Sequence, residues 1–246
     1  MLHTRPKRSI IIPVLDFSPH SPFNISTLLQ DLENVEGEVI CIFNSDETFH
    51  KLHTHPRITR YAFNSQNAGV SRSWNIGLNL SEGKTAFILN ADLKVHPVLF
   101  DSLESYLYSF EKAVLVGPQG SLIDWQTLKA KKYFQQFLFN EPVQTDEVSG
   151  FLFGLNLSLF QKHRLQFDAR FSPCFFEEMD MGLQIKEAGL RCYAVPVVAF
   201  EHRWGVSQFE KDRVLNYFGR EVSLSDILDE NKAKFIEKWG VRLAQI

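Results

Sequence analysis

Cysteine is scarce and scattered. The 246 residues hold three, Cys41, Cys174 and Cys192, an odd number with no C-x-x-C pair, which argues against a disulfide framework and for a reducing compartment. Long apolar runs are missing too: none approaches the roughly 18 residues that span a bilayer. The start, Arg5-Pro6-Lys7-Arg8 and then Ser9-Ile10-Ile11-Ile12-Pro13, looks superficially like a signal peptide. Its apolar run is too short, is broken by Pro13 and precedes no small-residue cleavage pattern, so it reads as a first strand. Excess positive charge is absent; a formal net charge of -3 argues against general nucleic-acid binding but not against a nucleotide ligand. No P-loop, no serine nucleophile elbow and no G-x-G-x-x-G after the first strand is found, which weakens a nicotinamide-binding reading. Internal repeats, low-complexity tracts and a clear interdomain linker are lacking as well.

What remains is an ordinary globular composition, 44% hydrophobic and 22% charged, with 22 phenylalanines for an aromatic core. Residues 10–15, 39–43, 58–63, 85–89 and 113–116 read as strands. Residues 24–32, 71–80 and 97–107 read as helices, the first from Ile25, Leu28, Leu29 and Leu32 on one face. Gly83 is placed to end the second of these helices. Such alternation implies a mainly parallel sheet with right-handed crossovers. Beyond Gly117, Pro118-Gln119-Gly120-Ser121 reads as a turn, 149–160 as a buried strand and 192–200 as another. Met181, Ile185 and Ala188 mark a helical face, and the charged tail from Ser207 reads as helices packed on the edge.

Two acidic runs stand out. Asn90-Ala91-Asp92 follows a buried strand, where open α/β sheets bind ligands. Asp92 there is either a turn or cap residue or a Mg²⁺ or Mn²⁺ ligand, since hard cations often take one or two carboxylates plus substrate phosphates. Phe175-Phe176-Glu177-Glu178-Met179-Asp180 gathers three carboxylates at a helix start. Acidic residues suit the helix dipole, yet the two phenylalanines set a carboxylate against an apolar wall, which raises its pKa and makes it a better base. His202 is either structural or a further ligand for Mn²⁺. Asn67-Ala68-Gly69-Val70-Ser71-Arg72 leads into a helix and is either a capped turn or an anion site. His50, His53 and His55 match no zinc spacing.

In this order and spacing, from about Ser9 to Gly205, the motifs resemble those of the family 2 glycosyltransferases, whose fold is GT-A. Ser9-Ile10-Ile11-Ile12-Pro13-Val14 resembles the opening strand, Asn67-Ala68-Gly69 with Asn75-Ile76-Gly77 the Asn/Gly-rich helix start, and Phe87-Ile88-Leu89-Asn90-Ala91-Asp92 the D-x-D strand end. Ser149-Gly150-Phe151 resembles the segment under the acceptor, the 175–180 run the catalytic E-D segment, His202 a late metal-ligating histidine, and Phe235, Trp239 and Gly240 a common ending. Asn90 stands where the D-x-D has its first Asp, Glu178 where the base is usually Asp, and Phe43 where an Asp often contacts uracil or ribose.

The resemblance implies a GT-A (Rossmann-like) α/β three-layer sandwich with a mainly parallel central sheet and a C-terminal helical tail. It places a catalytic domain over 1–206, with a nucleotide-sugar half at 1–117 and an acceptor half at 118–206, and an extension over 207–246. It implies an inverting, metal-assisted transfer of a sugar from a nucleoside diphosphate sugar to a glycan, lipid-linked or protein acceptor, with Mn²⁺ or Mg²⁺ as cofactor. Glu178 would be the base, with Glu177 and Asp180 orienting hydroxyls, and Asp92 and His202 would hold the metal. Pro13, Val14, Asp16, Asn44, Asp46, Asn67, Gly69, Arg72, Asn75, Asn90 and Asp92 would contact the donor, and Gly150 and Phe151 the acceptor. A cytoplasmic protein is expected, with a peripheral place at the inner face of the membrane as an option. The rival reading is a glycosyltransferase-like module that binds a nucleotide or glycan without transfer. A nucleotidyltransferase fits less well, because Leu15-Asp16-Phe17-Ser18-Pro19-His20 has neither Gly nor Lys/Arg.

Overall fold

The computed structural model describes residues 7–17, 20–202 and 213–245. In chain order the first elements are β1 (Arg8–Val14), α1 (Ile25–Asp31), β2 (Glu38–Phe43), α2 (Asp46–Leu52), β3 (Arg60–Phe63), α3 (Val70–Leu80), β4 (Thr85–Leu89), β5 (Leu93–Val95), α4 (Val98–Ser109) and β6 (Ala113–Gly117). Then come β7 (Gly120–Asp124), β8 (Lys129–Phe134), β9 (Val143–Thr145), β10 (Glu147–Val148), β11 (Leu152–Asn156), α5 (Leu157–Lys162), α6 (Glu177–Glu187), β12 (Arg191–Ala194) and β13 (Phe200–His202). After residue 212 a hairpin of β14 (Val214–Tyr217) and β15 (Arg220–Ser223) leads into α7 (Leu224–Leu243).

Eight strands form one sheet in the order β3-β2-β1-β4-β11-β6-β12-β9. The strands from β3 to β4 run parallel, β11 is inserted antiparallel between β4 and β6, and β12 returns parallel to β6. Successive residues of β1 explain the layering. Ile10, Ile12 and Val14 point to one face and pack with Leu28 and Leu29 of α1 and Leu99, Phe100 and Leu103 of α4. Ile11 points to the other and packs with Trp74 and Leu78 of α3 and Met181 and Ile185 of α6. A strand covered on both faces needs an unbroken apolar run, and each such side chain contributes about 1.5–3 kcal/mol on burial. The approach of α3 to β1 is close enough that a Cβ on Gly77 would stand 2.2 Å from Ile11 Cγ2. The fold is thus mixed α/β, with a largely parallel central sheet and a C-terminal helix.

Several local expectations are corrected. Gly83 does not stop α3, whose C-cap is Ser81. Gly120 and Ser121 belong to β7 rather than to a turn, because they pair with both β8 and β10 in a second sheet of three strands. The apolar stretch 149–160 divides at Asn156, whose Oδ1 accepts from Leu159 N at 3.2 Å and so starts α5. Residues 192–200 also divide: β12 ends at Ala194, and Phe200 begins β13, which pairs with β5. Among its described residues, 213–245, the tail is a hairpin and one helix instead of helices alone. The boundary placed between 206 and 207, like Gly205 at the end of the resemblance, lies outside the described residues. No helix among the described residues is long and apolar enough to cross a membrane.

Candidate active site

A cleft of about 280 Å³ opens at the carboxyl ends of β1 and β4. Pro13 and Asp16 line it from the end of β1, Asn44 from β2, Asn67 and Gly69 from the start of α3, and Asn90 and Asp92 from the end of β4. The opposite wall is Cys174 and Phe175 from the approach to α6, with Arg213 and Leu215 from the hairpin. Seven of the residues expected to contact a donor therefore share one cavity. The cleft wall does not include Val14, Asp46, Arg72 or Asn75. Val14 is a core residue with no exposure, and Asp46 is exposed on the first turn of α2. Asn75 is tied to the backbone of Phe167, donating to its carbonyl at 2.6 Å and accepting from its N–H at 3.2 Å. Arg72 donates to the Tyr217 hydroxyl and lies 5.4 Å from the Phe218 ring, so its cation grips the hairpin. Asn44 lines the cleft, but its amide group is consumed internally. It donates to Ile42 O and Ser73 Oγ and accepts from Asn64 Nδ2 and Ala68 N.

Asp92 has a nearby imidazole. The pairing of β13 with β5 sets His202 opposite Leu93, which brings His202 Nε2 to 3.4 Å from Asp92 Oδ1. The imidazole lies flat on Phe151, with ring centres 4.5 Å apart and planes 4° apart. Phe151 in turn is fixed by the Asn90 N–H donating to its carbonyl at 2.8 Å. A carboxylate oxygen and an imidazole nitrogen are donor types that suit Mn²⁺. Among the described residues no group of three or more His, Cys, Asp or Glu is arranged to hold a metal.

The second acidic run is differently built. Phe175 and Phe176 both adopt left-handed backbone, φ 75° and 73°, a costly geometry for two bulky residues in succession. Packing holds it: the Phe176 ring lies 5.2 Å from Phe235 of α7. The turn delivers Glu177, Glu178 and Asp180 onto the first turn of α6. Glu177 is 4% exposed and its Oε2 finds no partner among the described residues; burial first, then the charge of Glu178, pushes its pKa well up. Glu178 is half-buried, and burial raises its pKa too. It differs in accepting the Gly150 N–H at 3.1 Å, which favours its charged form. That bond needs glycine, since a Cβ at position 150 would stand 2.5 Å from Glu178 Oε1. Glu178 does not line the cleft; it lines a small neighbouring cavity with Glu147 and Cys192.

Asp180 has no exposure and faces away from the cleft. It accepts from Trp239 Nε1 and Gln184 Nε2, both at 2.7 Å, and pairs with Lys238 Nζ at 2.6 Å. It joins α6 to α7, where the resemblance expected a group orienting hydroxyls. Glu147, not singled out in the sequence, is buried on β10 and bonded by Ser121 Oγ. Burial and then the Glu178 charge raise its pKa to about 8. An acidic residue just before the apolar stretch at 148–155 was the available signal. Cys174 and Arg213 of the cleft wall carried no sequence signal.

No family model matches the chain, and no curated protein matches it. Among solved structures, a crystal structure of GalNAc-T7 with UDP, GalNAc and Mn²⁺ is similar at 13% identity with a TM-score of 0.68, covering 96% of this chain and 48% of that one. The chain therefore spans about half the length of the solved structure it matches. At this identity the likeness speaks for the fold, and the fold is that of a GT-A-like glycosyltransferase.

Proposed function

We propose that the chain is an inverting glycosyltransferase of the family 2 kind, moving a sugar from a nucleoside diphosphate sugar to an acceptor hydroxyl. The observation that carries this reading is the Asp92–His202 pair, 3.4 Å apart, at a cleft on the carboxyl side of the sheet. The similar structure holds UDP and Mn²⁺, which supports a nucleotide-sugar donor and a divalent cation here. Asp92 and His202 would hold Mn²⁺ or Mg²⁺, which would supply positive charge against the leaving diphosphate. Glu178 takes the proton of the acceptor hydroxyl as that oxygen bonds to the anomeric carbon. The bond from the anomeric carbon to the phosphate oxygen breaks, and the nucleoside diphosphate leaves with the electron pair. Glu178 must be ionised to do this, and the Gly150 N–H favours that form. Glu177 beside it is buried, and burial first, then the Glu178 charge, push its pKa well up.

A donor screen reading nucleoside diphosphate release, with Mn²⁺, Mg²⁺ or chelator, tests the proposal. Release that depends on metal and is lost in a folded Glu178→Gln protein is the expected result. A second reading, a module that binds without transferring, draws on two observations: the Asn44 amide is fully engaged and the β4 end offers a single carboxylate. Calorimetric binding of a nucleoside diphosphate with no release from any donor would favour that module.

A further inference from the structure

The outer edge of the small sheet is unlike the rest of the surface. Residues 125–140 contain Lys129, Lys131 and Lys132 and no Asp, Glu or Arg, in a chain whose formal net charge is -3. All three lysines are exposed on β8, the outermost strand of the order β10-β7-β8. Asp124 stands opposite Lys129 across the ladder, but its carboxylate already accepts the N–H groups of Gln126 and Thr127. Lysines on a free strand edge are explained by protection against edge-to-edge pairing. The loop that follows is not. Phe137 is 78% exposed and Leu138 68% exposed, and Val198, whose carbonyl meets the Gln136 side chain, is 59% exposed. The loop is built to hold them out. Leu138 N donates to Gln135 O at 3.0 Å, closing a turn, and Phe137 takes left-handed backbone at φ 66°. Gln136 Nε2 anchors the turn to the carbonyls of Val198 and Phe200, each at 3.3 Å. Phe139, by contrast, is tucked against Phe134 at 5.8 Å.

We infer that this edge is a docking surface for an anionic lipid bilayer, with Phe137 and Leu138 entering the headgroup layer and Lys129, Lys131 and Lys132 facing lipid phosphates. A fixed apolar tip beside a lysine row offers the two attractions that hold a protein at such an interface: buried apolar area and charge. The same strand reaches the proposed acceptor side. The Tyr133 hydroxyl lies 3.3 Å from Ser149 Oγ, next to the Gly150 N–H that holds Glu178. Docked there, the protein presents that side to the membrane.

Sedimentation with vesicles of phosphatidylcholine containing 30% phosphatidylglycerol tests this without any sugar donor, so its failure is separate from failure of the proposed transfer. The wild-type chain is expected to sediment with these vesicles and not with pure phosphatidylcholine. Replacing Lys129, Lys131 and Lys132 together by Gln should weaken the partition about a hundredfold, at about fivefold per lysine. F137S/L138S should weaken it at least about tenfold at unchanged charge. F137W supplies a gain of signal: its emission should shift to the blue on adding vesicles and be quenched by brominated lipid. Sedimentation indifferent to lipid charge, or an F137W spectrum unmoved by vesicles, overturns the inference. So does light scattering that finds a wild-type dimer and an F137S/L138S monomer without lipid, since the tip then serves a second copy of this chain.

Discussion

Asp92 and Asp180 are the same residue type, each in an acidic run, and the fold treats them in opposite ways. Asp92 lies in the turn just after β4 at an open cleft, keeps its side chain 20% exposed and has an imidazole 3.4 Å away. Asp180 is sealed between two helices, with an indole, an amide and an ammonium on its oxygens. Glu178, two residues earlier, stands between these extremes: half-buried, raised in pKa and held by one backbone N–H. A carboxylate whose oxygens are all taken serves the fold, whereas one with spare lone pairs at a cleft, as Asp92, or at a smaller cavity, as Glu178, can bind a cation or accept a proton. The start of α6 therefore mixes a functional candidate with a structural anchor, and the β4 end holds a functional candidate alone.

Glu178→Gln breaks that comparison hardest. Turnover should fall about 10²- to 10⁴-fold, the range for losing a general base, while the donor KM stays near wild type because the proposed donor site is at Asp92. Wild-type activity should rise with pH through a pKa above the usual carboxylate range, as burial dictates, and the residual rate of the variant should lack that rise. Asp92→Asn should cost on the order of a hundredfold in kcat/KM, from lost charge at the leaving group, and should abolish the response to added Mn²⁺. Its unfolding midpoint should not move, since the side chain is part-exposed. A Mn²⁺ response retained by Asp92→Asn would detach the metal from the β4 end.

Asp180→Ala should act on stability. It leaves the Trp239 N–H and the Lys238 charge without their buried partner, a loss of about 3–5 kcal/mol. Thermal denaturation should show a midpoint lower by about 10 °C, at about 2–4 °C per kcal/mol for a chain of this size. Trp239 fluorescence should redden as α7 loosens from α6. An unchanged midpoint with lost turnover would return Asp180 to the catalytic group.

The contrast also marks what a sequence can reveal. β1, β2, β4 and β6 were legible because strands buried on both faces must be apolar throughout. The β4 end was legible because ligands gather at the carboxyl ends of such strands. α2 escaped notice since its seven residues bury only Thr48 and Leu52, too few to show a periodic face. The β14–β15 hairpin was hidden by its turn: Phe218 takes φ 49° beside Gly219, a place where Asn or Asp is the usual sign. Partners far away in the chain decided the rest. Arg72 is claimed by Tyr217 and Asp180 by Trp239, 145 and 59 residues on, and no local pattern encodes such contacts.

Glu147 gives the finest test, since it separates burial from bonding within the acidic cluster. Its carboxyl ionises near 8 when folded against an ordinary 4.5. Between those values the folded chain holds a proton that the unfolded chain has released, so this group makes stability fall as pH rises, and the effect levels off above 8. Glu147→Gln keeps an acceptor for Ser121 Oγ and removes the titration. Relative to wild type, the variant should therefore gain little at pH 5 and about 2–4 kcal/mol at pH 8, read as denaturant midpoints at the two pH values. Parallel wild-type and variant profiles would mean that water reaches Glu147. The cavity it shares with Glu178 would then be wet, and burial would no longer account for the raised pKa of the proposed base.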